Sequence, residues 1–140
     1  MKKYLLTFIA VVFATAMMAQ DKNVFQGKFK NEELKISLNI NFQEKNVKVP
    51  GQEIFGDVEG YMDSSQCTHV WVIVSSEVEG NTAVIEMVNN YGSEDFSALL
   101  TLNADGSLTY KHLKGSTLKF PVNRKWQKIP QKVTFLPAGH

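Results

Sequence analysis

The stretch that decides the fold is LKISLNINF, residues 34–42, in which apolar and polar side chains alternate without interruption. The apolar members are Leu34, Ile36, Leu38, Ile40 and Phe42. Successive side chains of a strand point to opposite faces, so this pattern predicts a strand with one buried and one solvated face. No segment shows a convincing helical repeat, and the chain is therefore predicted to be all-β.

The same alternation returns along the rest of the chain, around residues 25–29, 96–102, 108–110 and 133–135. Gly80-Asn81 separates two apolar runs and predicts a two-residue hairpin turn. About eight strands with short links favour an antiparallel meander. A meander leaves no exposed edge when it closes, so we expect an eight-stranded barrel, with a β-sandwich as the alternative.

The first 19 residues have the features of a cleavable secretory signal. Met1-Lys2-Lys3 is followed by an apolar run and by small residues at Ala16 and Ala19, which is the signal-peptide pattern. Cleavage after Ala19 would leave a single β-barrel domain, residues 20–140, and Ala16 is the alternative cleavage site. The apolar run falls short of the ~20 residues that span a bilayer, so we expect no permanent membrane anchor. We expect a bacterial protein of the periplasm or cell surface, or one that is secreted.

Gly27-Lys28-Phe29 stands on the first predicted strand. With the strand count and order over residues 24–136, it resembles the lipocalin-type small barrels, which carry Gly-x-Trp at that place. The resemblance implies that the barrel holds an apolar ligand. The inward-facing residues are bulky, however, and eight strands leave room either for filled side chains or for one small ligand.

No stretch carries a catalytic motif, and we expect no enzyme activity. His69, His112 and His140 are isolated, without the spacing of metal ligands, so we expect no metal and no cofactor. Asn103-Ala104-Asp105-Gly106 predicts a tight turn, because the acidic ligands of a calcium loop do not follow it. Cys67 is the only cysteine and has no intrachain partner.

Charge is strongly segregated along the chain. Removal of the signal segment deletes two lysines and leaves 13 basic and 14 acidic residues, and no acid follows Asp105. If the barrel closes, the last strand lies beside the first and completes a basic sector. Its members are Lys28, Lys30, Lys111, Lys114, Lys119, Arg124, Lys125, Lys128 and Lys132. This sector favours an anionic partner such as a glycan, a lipid headgroup or an acidic protein; ordinary solubilising charge is the alternative. The near-neutral total argues against nucleic acid.

The segment from Val70 to Val74 is apolar on both faces. Register counted from Gly80-Asn81 pairs Val74 with Met87 on the inner face. Trp71, Ile73 and Val88 then point outward, and the alternation of the next strand adds Leu99. Such an outward patch would bind a partner protein or a second copy of the chain, unless another part of the chain covers it. The sequence therefore predicts an exported, non-catalytic binding or protein-interaction module, with a lipocalin-like carrier as the alternative.

Overall fold

β-Strands make up most of residues 25–138, the part of the chain that the computed structural model describes. The predicted signal segment and His140 lie outside these residues. Within the described range no helix is long and apolar enough to cross a membrane.

Twelve strands form in the described range, joined by turns and by one short 3-10 helix at Glu53–Phe55. They are β1 (Gln26–Asn31), β2 (Ile36–Asn41), β3 (Val47–Lys48), β4 (Asp57–Val58), β5 (Gly60–Ser64), β6 (Val70–Glu79), β7 (Thr82–Asn89), β8 (Asp95–Leu102), β9 (Leu108–Gly115), β10 (Lys119–Val122), β11 (Lys125–Lys128) and β12 (Lys132–Pro137).

Eight of these strands close into a barrel in the order β1-β2-β5-β6-β7-β8-β9-β12, and β12 returns to β1. Every pairing is antiparallel, so the predicted barrel is confirmed over the sandwich. The four remaining strands form two inserted pairs. We call residues 47–58, which contain β3 and β4, the covering hairpin, and residues 119–128, which contain β10 and β11, the end hairpin.

The inner face of the barrel is filled by the apolar members of the alternating strands. Ile36, Leu38 and Ile40 of the deciding stretch are at most 1% exposed, and Leu34 packs against the same cluster. Removing such side chains from water contributes about 1.5–3 kcal/mol each. The largest side chains below 2% exposure are Trp71, Tyr110, Phe25, Phe120, Phe135, Ile36, Leu38, Ile40, Met62, Ile73, Ile85 and Met87.

The Gly80-Asn81 turn forms as predicted, but the register beyond it was wrong. Ser76 pairs with Ile85, and a β-bulge between Ile73 and Ser75 then makes Ile73, not Val74, the partner of Met87. A bulge adds one residue to one strand and reverses which side chains face inward. Trp71 and Ile73 are therefore 0% exposed members of the barrel core, and the prediction that they lie on the outside was wrong.

The outer face of β5 and β6 is covered by the chain itself. Val47 and Val49 of the covering hairpin form a second buried cluster with Val72 of β6, and Val88 packs against that cluster. Leu99 is half-buried on the outer wall, where it pairs with Lys111. The four residues of the expected patch are thus divided between the core, the covered face and the outer wall.

Candidate functional site

Three rings from distant parts of the chain meet at the end of the barrel where β6 begins. The His69 ring centroid lies 5.7 Å from that of Tyr91 and 5.8 Å from that of Trp126. Tyr91 is 77% and Trp126 54% exposed, whereas His69 is only 6% exposed. We call these rings, with Glu94 and Lys119 beside them, the aromatic site.

Tyr91 stands on a short loop between β7 and β8 that is held rigidly from below. The buried Asn89 side chain accepts a hydrogen bond from the Ser93 N–H (2.9 Å) and donates one to the Ser93 hydroxyl (3.0 Å). Asn90 N–H donates to the Val70 carbonyl at 3.0 Å, which ties the loop to the residue after His69. Asx-type bonds of this kind replace strand pairing in tight turns, so the backbone on both sides of Tyr91 is held by its neighbours.

Trp126 is presented by the end hairpin, which is anchored in the barrel core. Leu118 and Phe120 are at most 1% exposed within the main core cluster. Trp71 Nε1–H donates to the Lys119 carbonyl at 2.9 Å, which fixes β10 to β6. One strand of the hairpin is therefore held by core contacts, and the other carries Trp126 into solvent.

His69 lies between the exposed rings and the core, with Trp71 and Phe120 on its inner side at 5.9 and 6.1 Å. Its Nε2 is buried and has no hydrogen-bond partner among the described residues. Burial lowers the pKa of His69 from its ordinary value of 6.5; Glu94 opposes this and Lys119 adds to it. An unpaired buried polar atom costs about 1–3 kcal/mol of stability. The hydrogen bonds of the fold therefore do not explain why a histidine stands at this position.

The charges beside the rings form a small network. Lys119 Nζ lies 3.5 Å from Glu94 Oε1 and 4.9 Å from the Trp126 ring centroid. An ammonium over an indole face is attracted by the ring quadrupole. The ion pair and the ring together restrain a lysine side chain that would otherwise be flexible. Polar groups therefore lie next to the flat apolar faces of the two exposed rings.

The residues of the predicted basic sector lie on two parts of the fold. Closure places Lys28 and Lys30 on the strand beside β12, and Lys111 faces Lys132 directly across β9 and β12. Lys114, near the end of β9, is the last member of the part that lies on the barrel wall. The other members, Lys119, Arg124, Lys125 and Lys128, all belong to the end hairpin. The hairpin part adjoins Trp126, which Lys125 directly precedes in the sequence.

A concave feature lies elsewhere, on the outer wall of β1, β2 and β5. It is a groove of about 330 Å³ lined by Lys28, Phe29, Lys30, Ser37, Asn39, Tyr61, Asp63 and Ala138. Burial raises the pKa of Asp63, which the positive charge of Lys28 partly offsets. Its lining is mainly polar, unlike the apolar pockets that hold most small ligands. The aromatic site presents two large exposed rings, and we regard it as the stronger candidate.

Other sequence-level candidates have ordinary surroundings. Asp105 accepts hydrogen bonds from the Ser107 N–H and hydroxyl, as expected for a tight turn. No group of three His, Cys, Asp or Glu side chains within residues 25–138 is arranged to hold a metal ion. Cys67 is free and half-buried against the core.

Sequence reasoning missed the aromatic site, although Tyr91 and Trp126 each follow polar or charged residues in which a large ring is unexpected. Comparison of the chain with protein-family models, with curated proteins and with solved structures gave no match.

Proposed function

We propose that the protein is an exported, non-catalytic binding module that recognises its partner through the aromatic site. The observation that carries the proposal is the convergence of two exposed rings, Tyr91 and Trp126, on one buried histidine. Single exposed apolar residues are normal on a protein surface, but two that contact the same buried ring suggest a binding surface. Trp and Tyr are also enriched among interface hot spots.

The rigidity of the site supports recognition by a preformed surface. The loop of Tyr91 is tied by Asn89, and the hairpin of Trp126 is tied by Trp71 and Phe120. Backbone segments already held in place lose little conformational freedom when a partner binds. A flexible pair of the same rings would bind less tightly for the same contact area.

The chemistry beside the rings supports binding rather than catalysis. Glu94 and Lys119 compensate each other's charge at 3.5 Å and can donate to or accept from a ligand without transferring a proton. The lowered pKa of His69 keeps its imidazole neutral at pH 7, so one nitrogen can accept a hydrogen bond. The export part of the proposal rests on residues 1–19, and intact-mass measurement of exported material tests whether the chain begins at Gln20.

Binding at the aromatic site can be tested with the Tyr91→Ala/Trp126→Ala double variant. The purified proteins are titrated with polysaccharides and with anionic lipid vesicles, and self-association is followed by sedimentation. Any partner of the wild type should lose affinity for the double variant while the melting temperature changes little. The matched control is Ile54→Ala, which removes a 91% exposed apolar side chain from the covering hairpin. Partner binding that survives the double substitution would refute the proposal.

One observation favours the alternative function, a lipocalin-like carrier of a small apolar ligand. The Tyr110 hydroxyl is buried inside the barrel without a hydrogen-bond partner among the described residues, and burial raises the pKa of Tyr110. A ligand with an acceptor group would satisfy it. The many large side chains that fill the interior argue against this. Tyr110→Phe should weaken capture of an apolar fluorescent probe if the interior is the binding site, and should otherwise leave it unchanged.

A further inference from the structure

We infer that the ligand of the aromatic site is an acidic sugar, whose ring stacks on Trp126 while its carboxylate or sulfate lies against Lys128 and Lys119. The inference rests on the proposed function and specifies the ligand class of the same site. It comes from the register of the end hairpin, from the ion pairs near it and from the shape of the exposed rings.

The register brings two lysines to the same face as the exposed indole. Lys119 pairs with Lys128, and Pro121 pairs with Trp126. Residues two apart on a strand share a face, and directly opposite residues do so as well. Lys119, Trp126 and Lys128 therefore lie on one side of the hairpin, and both ammonium groups can approach a ligand stacked on the ring.

The charge on this face is not balanced by the protein. Lys119 is paired with Glu94 at 3.5 Å. Lys128 has no carboxylate within 4.0 Å among residues 25–138, and the same holds for Arg124 and Lys125 on the hairpin. Like charges directly opposite each other destabilise a strand pair. A bound anion would remove this repulsion, so the arrangement favours an anionic ligand over a neutral one.

The shape of the site favours a sugar ring as the carrier of that charge. Indole and phenol rings present a flat apolar face and a polar edge. A pyranose ring likewise has a face of C–H groups and a rim of hydroxyls. Glu94, one third exposed at its side chain, can accept a hydroxyl hydrogen bond beside Trp126. An acidic sugar thus uses the rings, the carboxylate and the lysines together, whereas an inorganic anion would use only the lysines.

The test compares one oligosaccharide with and without its charge. Oligogalacturonate and its fully methyl-esterified form have the same ring, and only the first carries carboxylates. Trp126 is the exposed one of the two tryptophans, so its fluorescence reports binding. We expect the acidic form to bind about tenfold more tightly than the ester and to lose affinity with added salt.

Lys128→Gln should reduce affinity for the acidic form about tenfold and leave affinity for the ester unchanged. Lys111→Gln is the matched control, because it removes the same charge from the outer wall. Equal affinity for the two forms, or binding of neither, would overturn the inference. Failure of the proposed function has a different signature, measured by titration calorimetry because the variant lacks the Trp126 reporter. The acidic form then binds the wild type, but the Tyr91→Ala/Trp126→Ala variant binds it equally well.

Discussion

The two inserted hairpins interrupt the same barrel meander but use their side chains differently. The covering hairpin turns Val47 and Val49 onto the outer wall of the barrel, and its strands are only two residues long. The end hairpin has four-residue strands. It inserts Phe120 into the core and exposes Trp126 on the neighbouring strand.

The comparison distinguishes side chains that stabilise the fold from a side chain that contributes little to it. The covering hairpin is explained by the apolar surface that it hides, since Val72 would otherwise be exposed on the outer face of β6. The buried strand of the end hairpin is explained in the same way by core packing. A half-exposed tryptophan flanked by lysines gains little from the fold, and it is the observation from which the proposed binding site starts.

The largest expected effect concerns the buried strand of the end hairpin. Phe120→Ala removes a 0% exposed ring from the core and should destabilise the protein by about 3–5 kcal/mol. Trp126→Ala, six residues later, should change stability by no more than about 1 kcal/mol. Denaturant unfolding of both variants measures the contrast. Equal losses would mean that Trp126 is also a packing residue, and the comparison of the two strands would fail.

A smaller loss is expected in the covering hairpin. Val49 is 4% exposed, and Val49→Ala removes two buried carbons, which corresponds to about 1–2 kcal/mol. Ile54→Ala in the same hairpin should be nearly neutral, because Ile54 is 91% exposed. Thermal melts of the two variants test whether the covering hairpin contributes through its inward valines alone.

Alternation predicted the barrel because most strands have one apolar face. It failed on β6, where Val70–Val74 is apolar on both faces and so carries no information about orientation. Both faces are indeed buried, Trp71 and Ile73 in the core and Val72 under the covering hairpin. The bulge at Val74 determines which side chains of β6 face the core, and neither Gly nor Pro marks its position in the sequence.

The candidate site could not be predicted from local patterns. His69, Tyr91 and Trp126 are brought together only by closure of the barrel and by docking of the end hairpin. The basic sector was predicted because charge segregation is visible along the chain, and the adjacency of β1 and β12 follows from closure. Its division between the wall and the end hairpin depends on tertiary structure.

The pH dependence of stability probes the inner side of the aromatic site. Burial lowers the pKa of His69 below 6.5, its ordinary value, so the folded state binds fewer protons there than the unfolded state. The contribution of His69 to stability is then fully present above pH 6.5 and is lost as the pH falls through the lowered pKa. The melting temperature of His69→Phe should decrease less than that of the wild type between pH 7 and pH 5. Parallel decreases would mean that His69 is solvated.

The smallest expected effect lies in the turn of the end hairpin and has the opposite sign. Asn123 and Arg124 form its two-residue turn with φ of 53° and 67°, a conformation that glycine adopts without strain. The left-handed region costs a residue such as arginine about 1–2 kcal/mol. Replacement by glycine removes this cost, but the greater conformational entropy of glycine in the unfolded chain cancels part of the gain. Arg124→Gly should therefore stabilise the protein by about 0.5–1 kcal/mol.

Lys125→Gly is the matched control: it also removes one positive charge, but it replaces a strand residue and should destabilise by about 0.5–1 kcal/mol. Chemical denaturation of both variants distinguishes backbone conformation from charge. If both substitutions stabilise the protein, repulsion among the cations of the hairpin, and not the geometry of its turn, determines the stability of this region.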